Sequence, residues 1–306
     1  MGVNRNDLYS RIKDFLKRDG ANDWARFLAA TNQRAAAALS DGNPSSTTAL
    51  LAGMMFNNFG SQMGEKPGGT GQRGNSVSIT FDAGQFQATG FKGQSYTLPI
   101  SGRFKINDRV AIDYLIPLQY ATLEGASIYQ AGITLSVPTK VILPSENRPW
   151  SWDVTPTFAF AVSGSKEMLA GGGLYAGALT NVISYRWHGM TFTYGNYFSF
   201  FKGVTLSFGD YDFPSKVSQE IMKNGLRVSV PVQKRWLVEV YGIHTKFLEH
   251  AAVDSYFTIG ADVGYQLTAN RGGQEILLGY LSLGFYTEIG NHYDSGHIRL
   301  GSGWKF

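Results

Sequence analysis

Apolar and polar residues alternate along most of the chain, from Val77 to the C-terminal Phe306. A period of two places every second side chain on one face, which is the pattern of a β-strand with a single apolar face. Between Tyr96 and Leu118 the alternation runs up to Asn107-Asp108 and then away from it, as in a hairpin. The pattern predicts twelve strands, at about 77–83, 95–106, 109–121, 127–142, 150–162, 173–187, 190–201, 225–232, 236–247, 253–267, 275–287 and 297–306.

Short and long connections are predicted to alternate between these strands. The short turns fall at 107–108, 144–149, 188–189, 233–235 and 268–274, and the longer connections fall near 84–94, 122–126, 163–172, 202–224, 248–252 and 288–296. This arrangement is typical of an up-and-down membrane barrel, in which an even number of strands leaves both barrel termini in the periplasm.

The first part of the chain has a different character. Asp7 to Arg18, Asp23 to Leu39 and Thr47 to Asn58 have the period and the capping residues of helices. Residues 60–76 are rich in glycine and polar side chains, which is linker composition. The sequence therefore predicts a helical segment 1–59, a linker 60–76 and a barrel 77–306.

Composition supports a barrel and excludes several other classes. Charged residues make up 16% of the chain, aromatic residues make up 14%, and cysteine is absent, so thiol chemistry and disulfides are excluded. No apolar run approaches the length of a transmembrane α-helix. The N-terminus lacks a signal-peptide pattern, and we expect the chain to begin after its removal.

Charged residues occupy the polar phase of the predicted strands, and they are the candidates for the pore lining. Alternation alone does not tell which face points outward. Tryptophan position supplies a clue, because indole rings prefer the headgroup level and five of the six tryptophans lie beside predicted short turns. The pore candidates are Arg103, Lys105, Arg109, Asp113, Asp153, Arg186, Arg227, Glu239, Asp262 and Arg299, and the girdle candidates are Trp150, Trp152, Trp187, Trp236 and Trp304.

Five prolines interrupt the predicted strands. Each removes a donor from the ladder, and a closed barrel has no edge at which to place them. We therefore expect bulges or strand ends at Pro99, Pro117, Pro138, Pro156 and Pro231.

The helical segment needs an apolar surface to pack against, and the lumen of a twelve-stranded barrel is wide enough for one helix. We expect part of it to enter the lumen as a plug, with basic or amide side chains meeting luminal carboxylates such as Asp113, Asp153, Glu239 or Asp262. The alternative is a helical appendage that stays in the periplasm. The plug candidates are Trp24, Arg26, Phe27, Leu28, Asn32, Gln33 and Arg34.

Two resemblances follow from these features. Ile298, Leu300, Trp304 and the terminal Phe306 resemble the closing-strand signal of bacterial outer-membrane proteins, which implies recognition by the barrel-assembly machinery. The order of helices, linker and barrel resembles the outer-membrane secretion channel of the Fap functional-amyloid system. It also resembles an autotransporter translocator domain. The Fap resemblance implies an unfolded amyloid subunit as cargo, a removable plug and a homotrimer.

The sequence contains no diagnostic motif for catalysis or for nucleic-acid binding. A lipid hydrolase would need a serine beside a histidine at the outer rim, and His250 with Ser255 or His297 with Ser295 are the available pairs. Neither spacing is diagnostic, so we expect no enzyme and no cofactor or metal. The basic residues are dispersed, which argues against nucleic-acid binding.

The predicted fold class is an all-β membrane protein: a 12-stranded antiparallel up-and-down outer-membrane β-barrel with an N-terminal helical plug segment. We expect it in the bacterial outer membrane, with both termini periplasmic, in contact with outer-membrane lipid. The expected function is a gated channel that exports a secreted polypeptide. The alternatives are an autotransporter translocator barrel, a diffusion porin or small-molecule uptake channel, and an outer-membrane lipid hydrolase.

Overall fold

The structure is a computed structural model. It describes residues 75–88, 91–123, 126–145, 148–165, 170–204, 206–208, 211–213, 218–233, 235–248, 255–271, 274–291 and 293–305. The helical segment 1–59, with all the plug candidates, lies outside the described residues, and so does Phe306.

Fifteen β-strands are found in the described residues, and all are antiparallel to their neighbours. They are β1 (Ser76–Ala88), β2 (Phe91–Lys105), β3 (Ala111–Leu123), β4 (Ala126–Ser136), β5 (Thr139–Ile142), β6 (Trp150–Ser165), β7 (Ala170–Trp187), β8 (Met190–Val204), β9 (Leu206–Phe208), β10 (Tyr211–Phe213), β11 (Ser218–Pro231), β12 (Trp236–Phe247), β13 (Ser255–Arg271), β14 (Gln274–Gly290) and β15 (Tyr293–Lys305).

Pairing between the first and the last strand closes the sheet into a barrel. β1 pairs with β15 along its whole length, from Ser76 opposite Lys305 to Ala88 opposite Tyr293. β4 and β5 both pair with β6 and together form one barrel strand, while β9 and β10 form a separate two-stranded hairpin. The barrel therefore has twelve strands, as the sequence predicts.

The end of the barrel that holds Ser76 and Lys305 is called the terminal end here, and the opposite end is called the far end. At the terminal end, the two-residue turn between β7 and β8 has positive φ at both His188 and Gly189, 47° and 82°. These values are those of a type I′ turn, which fits the twist of a hairpin. The turn predicted at 188–189 is present.

The predicted alternation of short and long connections is wrong. Residues 84–88 and 91–94 continue β1 and β2, and residues 288–290 and 293–296 continue β14 and β15, so two-residue links replace two predicted loops. The physical reason is the length of the strands. They extend beyond the apolar belt at the far end, where Gln85, Gln87 and Gln94 stand among the exposed positions and apolar periodicity no longer marks a strand.

The in-strand prolines are accommodated in two ways. Pro231 ends β11 and Pro138 falls at the break between β4 and β5, whereas Pro156 lies inside β6 beside that break. Pro99 and Pro117 face each other in β2 and β3 without a bulge. Pairing is missing beside Pro99 in the β1–β2 ladder and beside Pro117 in the β3–β4 ladder, because a proline nitrogen has no hydrogen to donate.

The two faces of the barrel differ in polarity. Large apolar side chains alternate with luminal ones and are exposed on the outside, as shown by Leu226 at 65%, Phe158 at 57% and Leu300 at 51%. Inward-facing side chains include Arg227, Glu239, Asp262 and Asp82, all buried. An apolar exterior with a polar interior is the arrangement of a membrane barrel and the reverse of a soluble one. The charged phase of the strands therefore faces the lumen.

The described part of the chain contains no helix that is long and apolar enough to cross a membrane.

Candidate functional site

The polar lumen wall is built from two neighbouring rows of residues that run across six strands. Strand register fixes both rows, because residues paired across consecutive strands face the same side of the sheet. The first row passes through Asp82, Arg299, Gly284, Asp262, Glu239 and Ser229. The second row passes through Gly84, His297, Tyr286, Gly260, Tyr241 and Arg227.

Asp82 is the centre of the first polar cluster. Its Oδ1 lies 2.9 Å from Nδ1 of His297 and accepts a hydrogen bond of 3.2 Å from the Tyr286 hydroxyl. Its Oδ2 accepts a bond of 3.4 Å from Nε of Arg299. The rings of His297 and Tyr286 stack at 4.4 Å, and the Arg299 guanidinium lies 4.8 Å from the Tyr286 ring centroid. This cluster joins β1, β14 and β15 where the barrel closes.

A buried ion pair forms the second cluster, between β11 and β12. Nη1 of Arg227 lies 3.4 Å from Oε2 of Glu239, and the Ser229 hydroxyl donates to Oε1 at 2.7 Å. The side chains of Arg227 and Glu239 are only 4% and 1% exposed. The Arg227 guanidinium also lies 5.1 Å from the ring centroid of Tyr241, a cation–π distance.

Glu288 organises the third cluster, toward the far end. It accepts hydrogen bonds from the hydroxyl groups of Tyr293, of Ser295 at 2.9 Å and of Thr258 at 3.4 Å. Three hydroxyl donors satisfy a buried carboxylate that faces the lumen.

Asp262 differs from these three carboxylates. It is 8% exposed, and no side chain or backbone group among the described residues donates a hydrogen bond to it. The hydroxyl group of Tyr241, a residue 4% exposed, is also without a hydrogen-bond partner in the structure. Tyr241 lies over Gly260, two residues from Asp262 on the same luminal face of β13.

Glycines make room for these side chains on the neighbouring strand. A Cβ atom at Gly284 would lie 1.7 Å from Oδ1 of Asp262, and a Cβ atom at Gly260 would lie 2.4 Å from the Tyr241 hydroxyl oxygen. Without a Cβ atom on either neighbour, the carboxylate and the phenol lie flat along the wall.

The opposite side of the lumen carries an apolar surface that is interspersed with buried hydroxyl side chains such as Thr180 and Ser199. Buried side chains on β6, β7 and β8 form this surface together with the luminal residues Ile221 and Ile243 of β11 and β12. β7 is six strands from β15 in either direction around the barrel, so Leu174 and Ala176 lie on the strand opposite β15. The same apolar cluster also includes Tyr241 and Tyr286 of the polar wall. Its members on β6, β7 and β8 are Ala159, Ala161, Leu174, Ala176, Tyr197 and Phe201.

Several pore candidates lie near the terminal end. Arg103 forms a two-pronged ion pair with Asp113, with both N–O distances at 2.6 Å. Lys105 contacts Asp108, and the exposed Arg109 donates to the carbonyl oxygens of Lys140 and Val141 at 3.4 and 3.1 Å. Asp153 is half-buried in β6 and Arg186 is exposed at the end of β7.

The five tryptophans proposed as a girdle lie within β6, β7, β12 and β15 at their terminal-end extremities. Trp150, Trp187, Trp236 and Trp304 are exposed on the outside, and Trp152 is half-buried.

The sequence interpretation missed Asp82, His297, Tyr286 and Glu288 as luminal residues. Only Glu288 falls in a stretch predicted as a loop, 288–296. Asp82, Tyr286 and His297 lie at the ends of the predicted strands 77–83, 275–287 and 297–306. One signal was available, because His297 continues the phase of the recognised candidate Arg299.

The histidines do not form the pairs that a lipid hydrolase would need. The Ser295 hydroxyl donates to Glu288, while His297 binds Asp82, so these two residues are engaged separately. His244 stacks on Phe257 at 4.5 Å, and His250 lies outside the described residues. The described part of the chain also contains no group of three side chains suited to hold a metal ion.

Comparison with known proteins identifies the class of fold. No protein-family model and no curated protein matches the sequence. Among solved structures, the translocator domain of the autotransporter NalP from Neisseria meningitidis is similar, with a TM-score of 0.59, 11% identity and coverage of 86% of this chain and 97% of that chain. An outer-membrane channel from Pseudomonas putida gives a TM-score of 0.54, 10% identity and coverage of 79% and 99%.

A third similar structure is the β domain of the Bordetella autotransporter BrkA, with a TM-score of 0.52, 8% identity and coverage of 76% of this chain and 100% of that chain. All three are outer-membrane barrels. The chain therefore has the fold of a twelve-stranded outer-membrane β-barrel, with an apolar exterior and a charged lumen.

Proposed function

We propose that the protein is a gated outer-membrane channel that exports polypeptide cargo and is closed by its own N-terminal helical segment. The amphipathic lumen carries this proposal: the rows around Asp82, Glu239 and Asp262 offer charges of both signs, and the apolar surface around Phe201 adjoins these rows through Tyr241 and Tyr286. An unfolded polypeptide has both kinds of side chain, so such a wall gives it contacts without selecting one sequence.

The segment before the barrel supplies the gate in this proposal. The 74 residues before Asn75 precede a strand that starts at the terminal end. In this proposal residues 60–74 connect that strand to the predicted helices, which enter the lumen through the terminal-end opening. The faces containing Trp24, Phe27 and Leu28 match the apolar surface, and Arg26 and Arg34 match the luminal carboxylates. The fold shared with translocator domains and an outer-membrane channel is compatible with passage through this barrel.

Single-channel conductance in a planar bilayer tests the gate. The intact chain is compared with a chain that starts at Gly60, after heat-modifiable gel migration shows that both are folded. We expect brief or absent openings for the intact chain and steady conductance for the shortened one. Equal conductance would contradict the plug and favour an open porin, and absence of current from both would contradict the channel.

The cargo is tested in the same bilayer. An unfolded peptide of about forty residues is added on the terminal-end side of the open channel, and we expect transient blockades whose frequency rises with its concentration.

The apolar surface on β6, β7 and β8 supports a second candidate, a channel for small hydrophobic solutes. Liposome uptake of an aromatic hydrocarbon distinguishes the two. Uptake lost in Phe201→Ser, with peptide blockade absent in the unmodified chain, would favour this candidate.

A further inference from the structure

Four carboxylates lie on one wall of the lumen, and three of them accept hydrogen bonds from neighbouring side chains. His297, Tyr286 and Arg299 donate to Asp82. Glu239 and Glu288 have donors of their own, described above. Asp262 lies in the same row as Asp82 and Glu239 and is equally buried, but receives no hydrogen bond from the described residues.

Burial without donors is costly for a carboxylate. A buried polar group normally has a hydrogen-bond partner. Leaving a charged group without one costs more free energy than leaving a neutral group without one. Arg299 and Arg227 belong to the neighbouring clusters, where they bind Asp82 and Glu239. Both guanidinium groups also act electrostatically on Asp262, but among the described residues neither donates a hydrogen bond to its carboxylate.

The Tyr241 hydroxyl provides a second, independent observation at the same place. It is buried and has no hydrogen-bond partner among the described residues, and its oxygen lies over Gly260, next to Asp262 along the luminal face of β13. A phenol oxygen accepts hydrogen bonds as well as donating them. The carboxylate and the phenol therefore lie at neighbouring positions of the luminal wall, and both have hydrogen-bonding capacity that the described residues do not use.

We propose that Asp262 and Tyr241 form a binding site for an organic cation, the guanidinium of an arginine or the ammonium of a lysine, presented by a polypeptide in the lumen. Either group donates several hydrogen bonds and pairs with a carboxylate. This inference rests on the proposed function, since the lumen must admit a polypeptide. It selects Asp262 from the luminal carboxylates, because Asp113 is already paired with Arg103 and Glu239 with Arg227 and Ser229.

The cation has two sources, which the test separates. One is the chain's own segment, through Arg26 or Arg34, and the other is the translocated cargo. Both would use the same acceptor oxygens.

The first arm of the experiment uses the full chain in planar bilayers. Asp262→Asn keeps the shape of the side chain and removes its charge, and Asp294→Asn, at an exposed position of β15, is the matched control. Asp262→Glu keeps the charge and guards against a folding defect. If the chain's own segment supplies the cation, Asp262→Asn raises the open probability several-fold, and Asp262→Arg combined with Arg26→Glu or Arg34→Glu restores closure.

The second arm adds tetra-arginine, tetra-lysine or tetra-glutamine to any open channel. We expect the half-blocking concentration of the two cationic peptides to rise about tenfold in Asp262→Asn, because one charge-assisted contact is lost. Block by tetra-glutamine and block of the Asp294→Asn channel should stay unchanged. Tyr241→Phe should show a smaller rise of the same sign.

The outcomes distinguish the site from the proposed gate. Dependence of peptide block on Asp262, with no effect of Asp262→Asn on open probability, supports the site and assigns it to cargo. This result supports the cation site even if removal of the helical segment leaves the conductance unchanged, which would contradict the proposed gate. An Asp262→Asn channel that matches the unmodified one in both arms overturns the proposal.

Discussion

His297 and Asp82 are joined by a contact of 2.9 Å between Nδ1 and Oδ1, although they lie on the last and the first strand of the barrel. The histidine side chain is only 8% exposed and stacks on Tyr286, whose hydroxyl also donates to Asp82. The contact therefore links the chain's two terminal strands from inside, beside the backbone ladder that joins β1 to β15. These side-chain contacts at the closing seam, where β1 meets β15, therefore stabilise the closed barrel in addition to the backbone ladder.

We expect His297→Ala to lower the free energy of unfolding by about 1–2 kcal/mol, because Asp82 loses one of its three donors inside the lumen. Asp82→Ala should cost more, since it leaves His297, Tyr286 and Arg299 without their common acceptor. Urea titration of the barrel refolded in lipid vesicles measures both.

His244→Ala is the control for this prediction, because His244 stacks on Phe257 within the β12–β13 ladder and takes no part in closure. A loss for His244→Ala as large as that for His297→Ala would contradict a special role of the seam.

The Arg227–Glu239 pair predicts strong non-additivity. Arg227→Met leaves a buried carboxylate without its cation, and we expect a loss of about 3 kcal/mol or more. The double variant Arg227→Met with Glu239→Leu removes both charges, so we expect it to lie closer to the unmodified barrel than Arg227→Met does. The same urea titration provides the double-mutant cycle, and a double variant less stable than both single variants would show that the charges are net stabilising.

Alternation of residue types was sufficient to predict twelve strands and the phase of Arg227, Glu239, Asp262 and Arg299. It works wherever the strand crosses the apolar belt, because lipid on one side and the lumen on the other impose opposite polarity. Beyond the belt both faces are polar, so the signal vanished at 84–94 and 288–296 while the strands continued. The last predicted strand therefore began only at His297, although β15 begins at Tyr293.

The partners of the luminal charges were less predictable. Which carboxylate meets which base depends on the register between strands, and the pairing of Asp82 with residues of β15 depends on how the barrel closes. Nothing in the local sequence of either strand encodes that register. That Asp262 has no hydrogen-bond donor among the described residues likewise follows only from the register, which gives the nearby donors to Asp82 and Glu239.

A glycine beside a bulge should be intolerant of substitution. In the β13–β14 ladder the register shifts between Leu267 and Thr268, next to Gly279. A Cβ atom at Gly279 would lie 2.1 Å from the backbone oxygen of Gly303, and backbone cannot move aside as a side chain can. We expect Gly279→Ala to cost about 1–3 kcal/mol, measured by urea titration.

Gly242→Ala is the matched control, since a Cβ atom there meets nothing within 4 Å. If Gly242→Ala and Gly279→Ala cost the same, the close approach of β14 and β15 would not be what constrains Gly279.

The lipid-facing assignment of the exterior predicts a cost that depends on depth. Leu226, 65% exposed in the middle of β11, is placed in the hydrocarbon region. Met222, 37% exposed, lies on the same face of β11, about 13 Å nearer the far end. Arginine on the lipid face costs about 2–4 kcal/mol at the bilayer midplane and falls toward zero near the interface. We therefore expect Leu226→Arg to destabilise the vesicle-inserted barrel more than Met222→Arg, with Leu226→Ala separating loss of apolar area from the charge. Equal costs for the two arginine variants, or a negligible cost for Leu226→Arg, would contradict the placement of this face in lipid.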